Sequence, residues 1–153
     1  MPDENFFTFR ESMKKNDELT AAKEDYLEMI FRLSRGAGFT RIHDLANRLN
    51  VQPPSATRMV QRLAALGYAN YEKYGVVTLT EKGKAAGHQL LERHQTVEDF
   101  LRLLGISEGL LEETEKIEHT VSAPTLKGFA VLTRFFNDRP ELKRELAELI
   151  RRK

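Results

Sequence analysis

The sequence has no cysteine among its 153 residues. That excludes disulfides, thiolate zinc sites and cysteine nucleophiles, and it suits a reducing compartment, so a cytoplasmic protein is expected. No apolar stretch approaches the roughly 20 residues that a membrane-crossing helix needs, and no membrane partner is expected. Met1-Pro2-Asp3-Glu4 is followed by neither a basic n-region nor an apolar h-region, so a secretory signal is not expected. A glycine-rich phosphate cradle, a nucleophile elbow and a catalytic triad are missing too, and an enzyme is not the expected class. Internal repeats and low-complexity segments are absent.

An excess of one charge is also missing, since the net charge is only +1. Its distribution is uneven: net −2 over residues 1–40, net +4 over 41–84 and net −1 over 85–153. A basic middle between acidic flanks points to a nucleic-acid face on part of the molecule. With 41% hydrophobic and 31% charged residues, the chain reads as a soluble, mainly helical protein. The length suits one domain or two small ones.

Residues 1–20 read as an N-terminal extension, with Phe6, Phe7 and Phe9 set among charges. Thr20 is a candidate N-cap. Tyr26, Leu27, Ile30, Phe31 and Leu33 then recur at helical spacing as far as Ser34, and Gly36-Ala37-Gly38 ends the run. A second helix is expected from Thr40 to Leu49, through Ile42, Leu45, Ala46 and Leu49. After Asn50-Val51-Gln52, Pro53-Pro54 suits the first turn of a helix, where a missing N–H is harmless. A third helix is expected from Ser55 to Leu66, burying Ala56, Met59, Val60, Leu63 and Ala64.

Two β-prone runs then flank a turn at Tyr74-Gly75, the signature of a hairpin. Three helices followed by a two-stranded ribbon are the winged helix-turn-helix plan. Such units present the N-terminal residues of their second helix to base edges in the major groove. Gln52, Pro53, Pro54, Ser55, Thr57, Arg58, Gln61 and Arg62 are therefore the candidate DNA contacts, with Lys73 near the wing tip. The basic middle, the hairpin and the turn spacing coincide, so a winged-helix DNA-binding domain is expected over 21–84.

A long helix is expected from Thr80-Glu81-Lys82-Gly83 to about Leu104, stopped by Gly105. It is the candidate dimer element, because winged-helix units commonly bind DNA as two-fold dimers. Ser107 is the expected cap of a fifth helix, Ala123-Pro124 opens a sixth and Pro140 a seventh. Residues 85–153 are thus expected to form an all-α dimerisation domain.

The fifth helix carries Glu115-Lys116-Ile117-Glu118-His119. Residues three and four apart share a helix face, so two carboxylates and an imidazole converge there. Such a triplet is a metal site or an ordinary solvated stripe, and alone it does not decide between them. Further candidate ligands are Asp25 and Glu28, three apart on the first helix, and His94 on the fourth. Oxygen and imidazole donors suit hard or borderline cations such as Mn²⁺ and Fe²⁺.

At this point the chain resembles the diphtheria-toxin-repressor family of metal-dependent transcription regulators, most closely its manganese-responsive branch. The stretches that carry the resemblance include Glu24-Asp25-Tyr26-Leu27-Glu28, the Pro54-Ser55 helix start with Met59-Val60-Gln61, and Tyr71-Glu72-Lys73-Tyr74. Leu79-Thr80-Glu81-Lys82-Gly83, Arg93-His94 and Glu115 to Ser122 complete it, over about Ala21 to Phe136.

The resemblance implies that Asp25, Glu28, His94, Glu115, Glu118 and His119 hold two Mn²⁺ ions per subunit. The iron-responsive branch has methionine where this chain has Asp25 and cysteine where it has Glu115, so the departure points to manganese. Glu98 matches an accessory position of the iron branch. A homodimer that represses metal-homeostasis genes from a palindromic double-stranded operator is implied as well.

Three alternatives stand beside this reading: a winged-helix regulator of Fe²⁺ or Zn²⁺, one sensing a small organic ligand, and a di-metal carboxylate oxidase. The oxidase plan wants Glu-x-x-His on two helices. Here Lys116 precedes His119 by three and Leu91 precedes His94 by three, so neither histidine has it.

Overall fold

The structure is a computed structural model that describes residues 19–152. The expected N-terminal extension therefore lies almost wholly outside the described residues. The chain divides into two compact units, Met1–His88 and Gln89–Lys153.

In the first unit, α1 spans Ala21–Ser34, and its cap is Thr20, whose Oγ1 accepts from Lys23 N at 3.3 Å. β1 is the two-residue strand Thr40–Arg41, followed by α2, Ile42–Leu49. Asn50 ends α2 in the left-handed region, φ 54, a conformation that asparagine tolerates better than most residues. α3 spans Pro53–Ala65, with both prolines in its first turn. β2 (Ala69–Tyr71) and β3 (Val76–Leu79) flank a tight turn at Lys73–Gly75.

The sheet order is β1-β3-β2, antiparallel throughout, with Thr40 opposite Val77 and Ala69 opposite Leu79. The expected two-stranded ribbon therefore has a third strand. Thr40 and Arg41, expected to open the second helix, pair with Val77 and Val76 instead. The backbone groups of β3 would otherwise present an open edge, and pairing satisfies them. α3 begins at Pro53 rather than Ser55, because proline fits the first turn.

The core of this unit is Leu27, Ile30, Leu45, Ala46, Ala56, Val60, Leu63 and Val77, all at most 1% exposed. α1 packs on α2, α3 and β3, and β2 packs on α3. The wing is thus carried on the helix that the sequence marks for DNA.

α4 runs from Glu81 to Leu103, and its first turns belong to the first unit. Thr80 fastens it there: its Oγ1 accepts from Gly83 N at 3.0 Å and donates to Gly67 O at 2.6 Å. A Cβ on Gly83 would strike the Tyr68 carbonyl, and one on Gly87 would lie 2.6 Å from Phe31 Cβ. Glycine therefore permits the close approach of this segment to the β2 start and to α1.

In the second unit the rest of α4 joins α5 (Leu110–Glu118), α6 (Ala123–Asn137) and α7 (Pro140–Arg151). Val97, Leu101 and Leu110 form its core, with Ile117, Leu126 and Phe129 packed against them. The Phe100 and Phe129 rings stack at 4.1 Å. Ser107 does not cap α5. Gly109, at φ 66, stands at the N-cap and Leu110 opens the helix, because glycine enters this left-handed conformation without the steric cost serine would meet. Ser122 does cap α6, accepting from Thr125 N at 3.4 Å.

Candidate metal centre and nucleic-acid interface

His94 is the centre of the second unit's polar chemistry. It sits mid-helix in α4, and its side chain is only 6% exposed. Nδ1 lies 2.9 Å from Glu118 Oε2, and Nε2 lies 3.3 Å from Glu98 Oε2. Glu118 is itself 3% exposed, and its other oxygen is 3.6 Å from His119 Nε2. Carboxylates are rarely buried unless something compensates their charge. Here two of them converge on one imidazole and a second imidazole adjoins.

The motif is divided by position. Glu118 closes α5 and points inward, His119 is the C-cap residue and half-buried, and Glu115 is exposed and makes none of these contacts. Helical periodicity placed the three on one side of the helix, but it could not say how deeply each is buried. Glu98 is held from outside by Arg102, whose Nη2 and Nε lie 2.7 and 3.2 Å from Oε1. The hydrogen bond from Arg102 holds the Glu98 carboxyl below the usual carboxylate range, against partial burial, with help from the charge of Arg102 and from His94.

On α1 of the first unit, Asp25 is exposed and Glu28 half-buried. Glu28 Oε2 pairs with Arg32 Nη2 at 3.0 Å, one turn along the same helix. The sequence reading did not find that pair, although the i,i+4 spacing of Glu28 and Arg32 is its signal.

These donors are carboxylate oxygens and imidazole nitrogens, without sulfur. A donor set of carboxylate oxygens and imidazole nitrogens suits a hard or borderline divalent cation better than a strongly thiophilic one.

The nucleic-acid side is built on α3. Gln52, Pro53 and Pro54 are exposed at its start; Ser55 and Thr57 are half-buried, and Thr57 Oγ1 donates to Pro53 O at 3.1 Å. Arg58, Gln61 and Arg62 are exposed on the face opposite Ala56, Val60 and Leu63. Lys73 is exposed at the wing tip.

Two residues there were not singled out by sequence. Tyr74 is 92% exposed at φ 65, and Arg41 Nη1 donates to its carbonyl at 3.4 Å. The dipeptide Tyr74-Gly75 signalled a turn but not the direction of its ring.

Two family models match the chain in tandem. Residues 18–77 match the iron dependent repressor N-terminal DNA binding domain, and residues 80–147 match the iron dependent repressor metal binding and dimerisation domain. The HTH-type transcriptional regulator MntR of Lysinibacillus sphaericus is 38% identical over 128 residues, 83% of this chain and 92% of that protein. The regulator of the same name from Bacillus subtilis is 37% identical over 131 residues, 85% of this chain and 92% of that one.

Among solved structures, T. acidophilum IdeR superposes with a TM-score of 0.63 at 31% identity, covering 73% of this chain and 53% of that one. The manganese regulator SloR gives 0.64 at 30% identity, covering 78% and 55%. The chain thus spans little more than half the length of these two solved chains. Among the described residues no helix is long and apolar enough to cross a membrane.

Proposed function

The chain belongs to the iron-dependent repressor family of DNA-binding transcriptional regulators, and from that premise we propose that it is a manganese-responsive repressor of metal-homeostasis genes. The observation that carries the metal half is buried His94, 2.9 Å from Glu118 and 3.3 Å from Glu98. It lies in the part of the chain matched to a metal-binding domain.

In this reading Asp25, Glu28, His94, Glu115, Glu118 and His119 are the ligands of two Mn²⁺ ions per subunit. The sulfur-free donor set and the resemblance to the manganese-responsive branch support that assignment, and the likeness to the manganese regulator SloR supports manganese. A bound divalent cation supplies the positive charge that offsets the repulsion among these carboxylates. The rest falls to the chain's own side chains. Glu118 fixes the His94 ring through Nδ1 at 2.9 Å. Glu28, paired with Arg32 at 3.0 Å, would hold the cation with its carboxylate.

Residues 21–84 form the DNA-binding domain and residues 85–153 the metal-binding and dimerisation domain. Gln52, Pro53, Pro54, Ser55 and Thr57 open the recognition helix. Arg58, Gln61 and Arg62 on α3 reach base edges or phosphates, and Lys73 reaches the backbone from the wing. In the homodimer, two recognition helices enter successive major grooves of a palindromic duplex in the cytoplasm, about 34–36 Å apart. If metal raises affinity for DNA, DNA raises affinity for metal by the same factor.

Fe²⁺ and Zn²⁺ are the competing cations, since affinity alone follows the Irving–Williams order and selection rests on geometry and availability. Calorimetric titration of metal-free protein with Mn²⁺, Fe²⁺ and Zn²⁺ tests the assignment. Two Mn²⁺ per subunit are expected. A folded protein that takes up no Mn²⁺ overturns it.

A further inference from the structure

The wing tip holds a feature that folding does not account for. Tyr74 and Gly75 are consecutive left-handed residues, φ 65 and φ 73. Asn-Gly is the favoured pair for such a hairpin turn. L-residues other than asparagine and aspartate seldom enter this region. Tyr74 does so while 92% exposed, so burial gives nothing in return.

The tip is nevertheless held firmly. Glu72 N donates to Val76 O at 2.8 Å across its base, and Arg41 Nη1 reaches the Tyr74 carbonyl at 3.4 Å. The strand below it, β2, packs on α3. An aromatic ring is thus displayed on a fixed mount carried by the recognition helix. Arg41 and Lys73 beside it outnumber the single carboxylate of Glu72. Outlying backbone of this kind clusters at sites of function.

We infer that Tyr74 is a DNA-contacting residue, whose ring packs on deoxyribose at the minor-groove edge beside each half-site and whose phenol hydrogen-bonds a phosphate or a minor-groove acceptor. The inference rests on the DNA-binding reading above. When a winged-helix unit seats its recognition helix in the major groove, its wing lies against the flanking backbone. A ring with one polar atom suits that border between sugar and phosphate. Its contribution is packing and a hydrogen bond rather than counterion release.

The test uses the full chain with Mn²⁺ and a duplex selected on the parent protein from a random-sequence library. Tyr74→Ala is expected to weaken binding about ten-fold and leave the salt dependence unchanged. Lys73→Ala is expected to lower the salt slope by about one. Hydroxyl-radical footprints of the parent should show sugar protection flanking the major-groove contacts, lost in Tyr74→Ala and kept in Tyr74→Phe.

Tyr74→Asn separates this role from a structural one. Asparagine suits the turn, so the urea midpoint should rise while DNA affinity falls. Parent-like affinity and footprint in both Tyr74→Ala and Tyr74→Asn would overturn the Tyr74 assignment and leave the DNA-binding reading standing. A parent that yields no selected duplex overturns both.

Discussion

Replacing Gly83 with alanine sets two effects of opposite sign against each other. Gly83 lies in the first turn of α4. Within a helix, alanine is favoured over glycine by up to about 1 kcal/mol. Here the added methyl would strike the Tyr68 carbonyl, with Tyr68 C at 2.9 Å and Leu79 Cδ2 at 3.2 Å. A backbone carbonyl leading into a paired strand cannot rotate aside. Relief requires α4 to shift, which endangers Thr80 N→Tyr68 O at 3.1 Å and the two Thr80 hydroxyl bonds at 3.0 and 2.6 Å.

Overpacking of this kind costs about 1–3 kcal/mol, and each hydrogen bond lost about 1 kcal/mol more. The clash outweighs the propensity gain, and Gly83→Ala should destabilise the protein by about 1–3 kcal/mol. Urea unfolding of the chelator-treated protein reads this as a lower midpoint with an unchanged slope. Because Tyr68 leads directly into β2, DNA affinity should fall as well, while Mn²⁺ uptake stays intact. A variant as stable as the parent, or more stable, would refute the reasoning.

Arg58→Ala should weaken DNA binding by about 1–3 kcal/mol and leave the calorimetric Mn²⁺ titration unchanged, since Arg58 is exposed on α3. His119→Ala should give a folded protein, judged by circular dichroism and sedimentation, whose DNA affinity no longer responds to Mn²⁺. Leu63→Ala should cost about 2–5 kcal/mol in urea unfolding, because Leu63 is fully buried in the DNA-binding unit.

Much of the fold was legible in the sequence because its helices carry local signals. Thr20 caps α1, Pro53-Pro54 stands in the first turn of α3, Ala123-Pro124 opens α6, and the apolar faces recur at helical spacing. The elements that were misread are set by distant partners. β1 has two residues and exists only through its pairing with β3, so no local pattern could announce it. Ser107 has the right chemistry for a cap, yet the left-handed backbone of Gly109 decides where α5 begins.

The candidate site was legible in residue type and less so in depth. Periodicity put Glu115, Glu118 and His119 on one side of α5. It could not reveal that Glu118 is buried against His94 while Glu115 is exposed, or that Arg32 holds Glu28. The strained backbone of Tyr74 was hidden for another reason: a tyrosine before a glycine carries no left-handed signal of its own.

The central claim is that divalent metal, sensed around His94 and Glu118, governs DNA binding through α3. Fluorescence anisotropy on the selected duplex, with Mn²⁺ and then with excess chelator, tests it most directly. Tight binding with Mn²⁺ that is lost on chelation and restored on re-addition is the expected result. Equal affinity in the two conditions would contradict it.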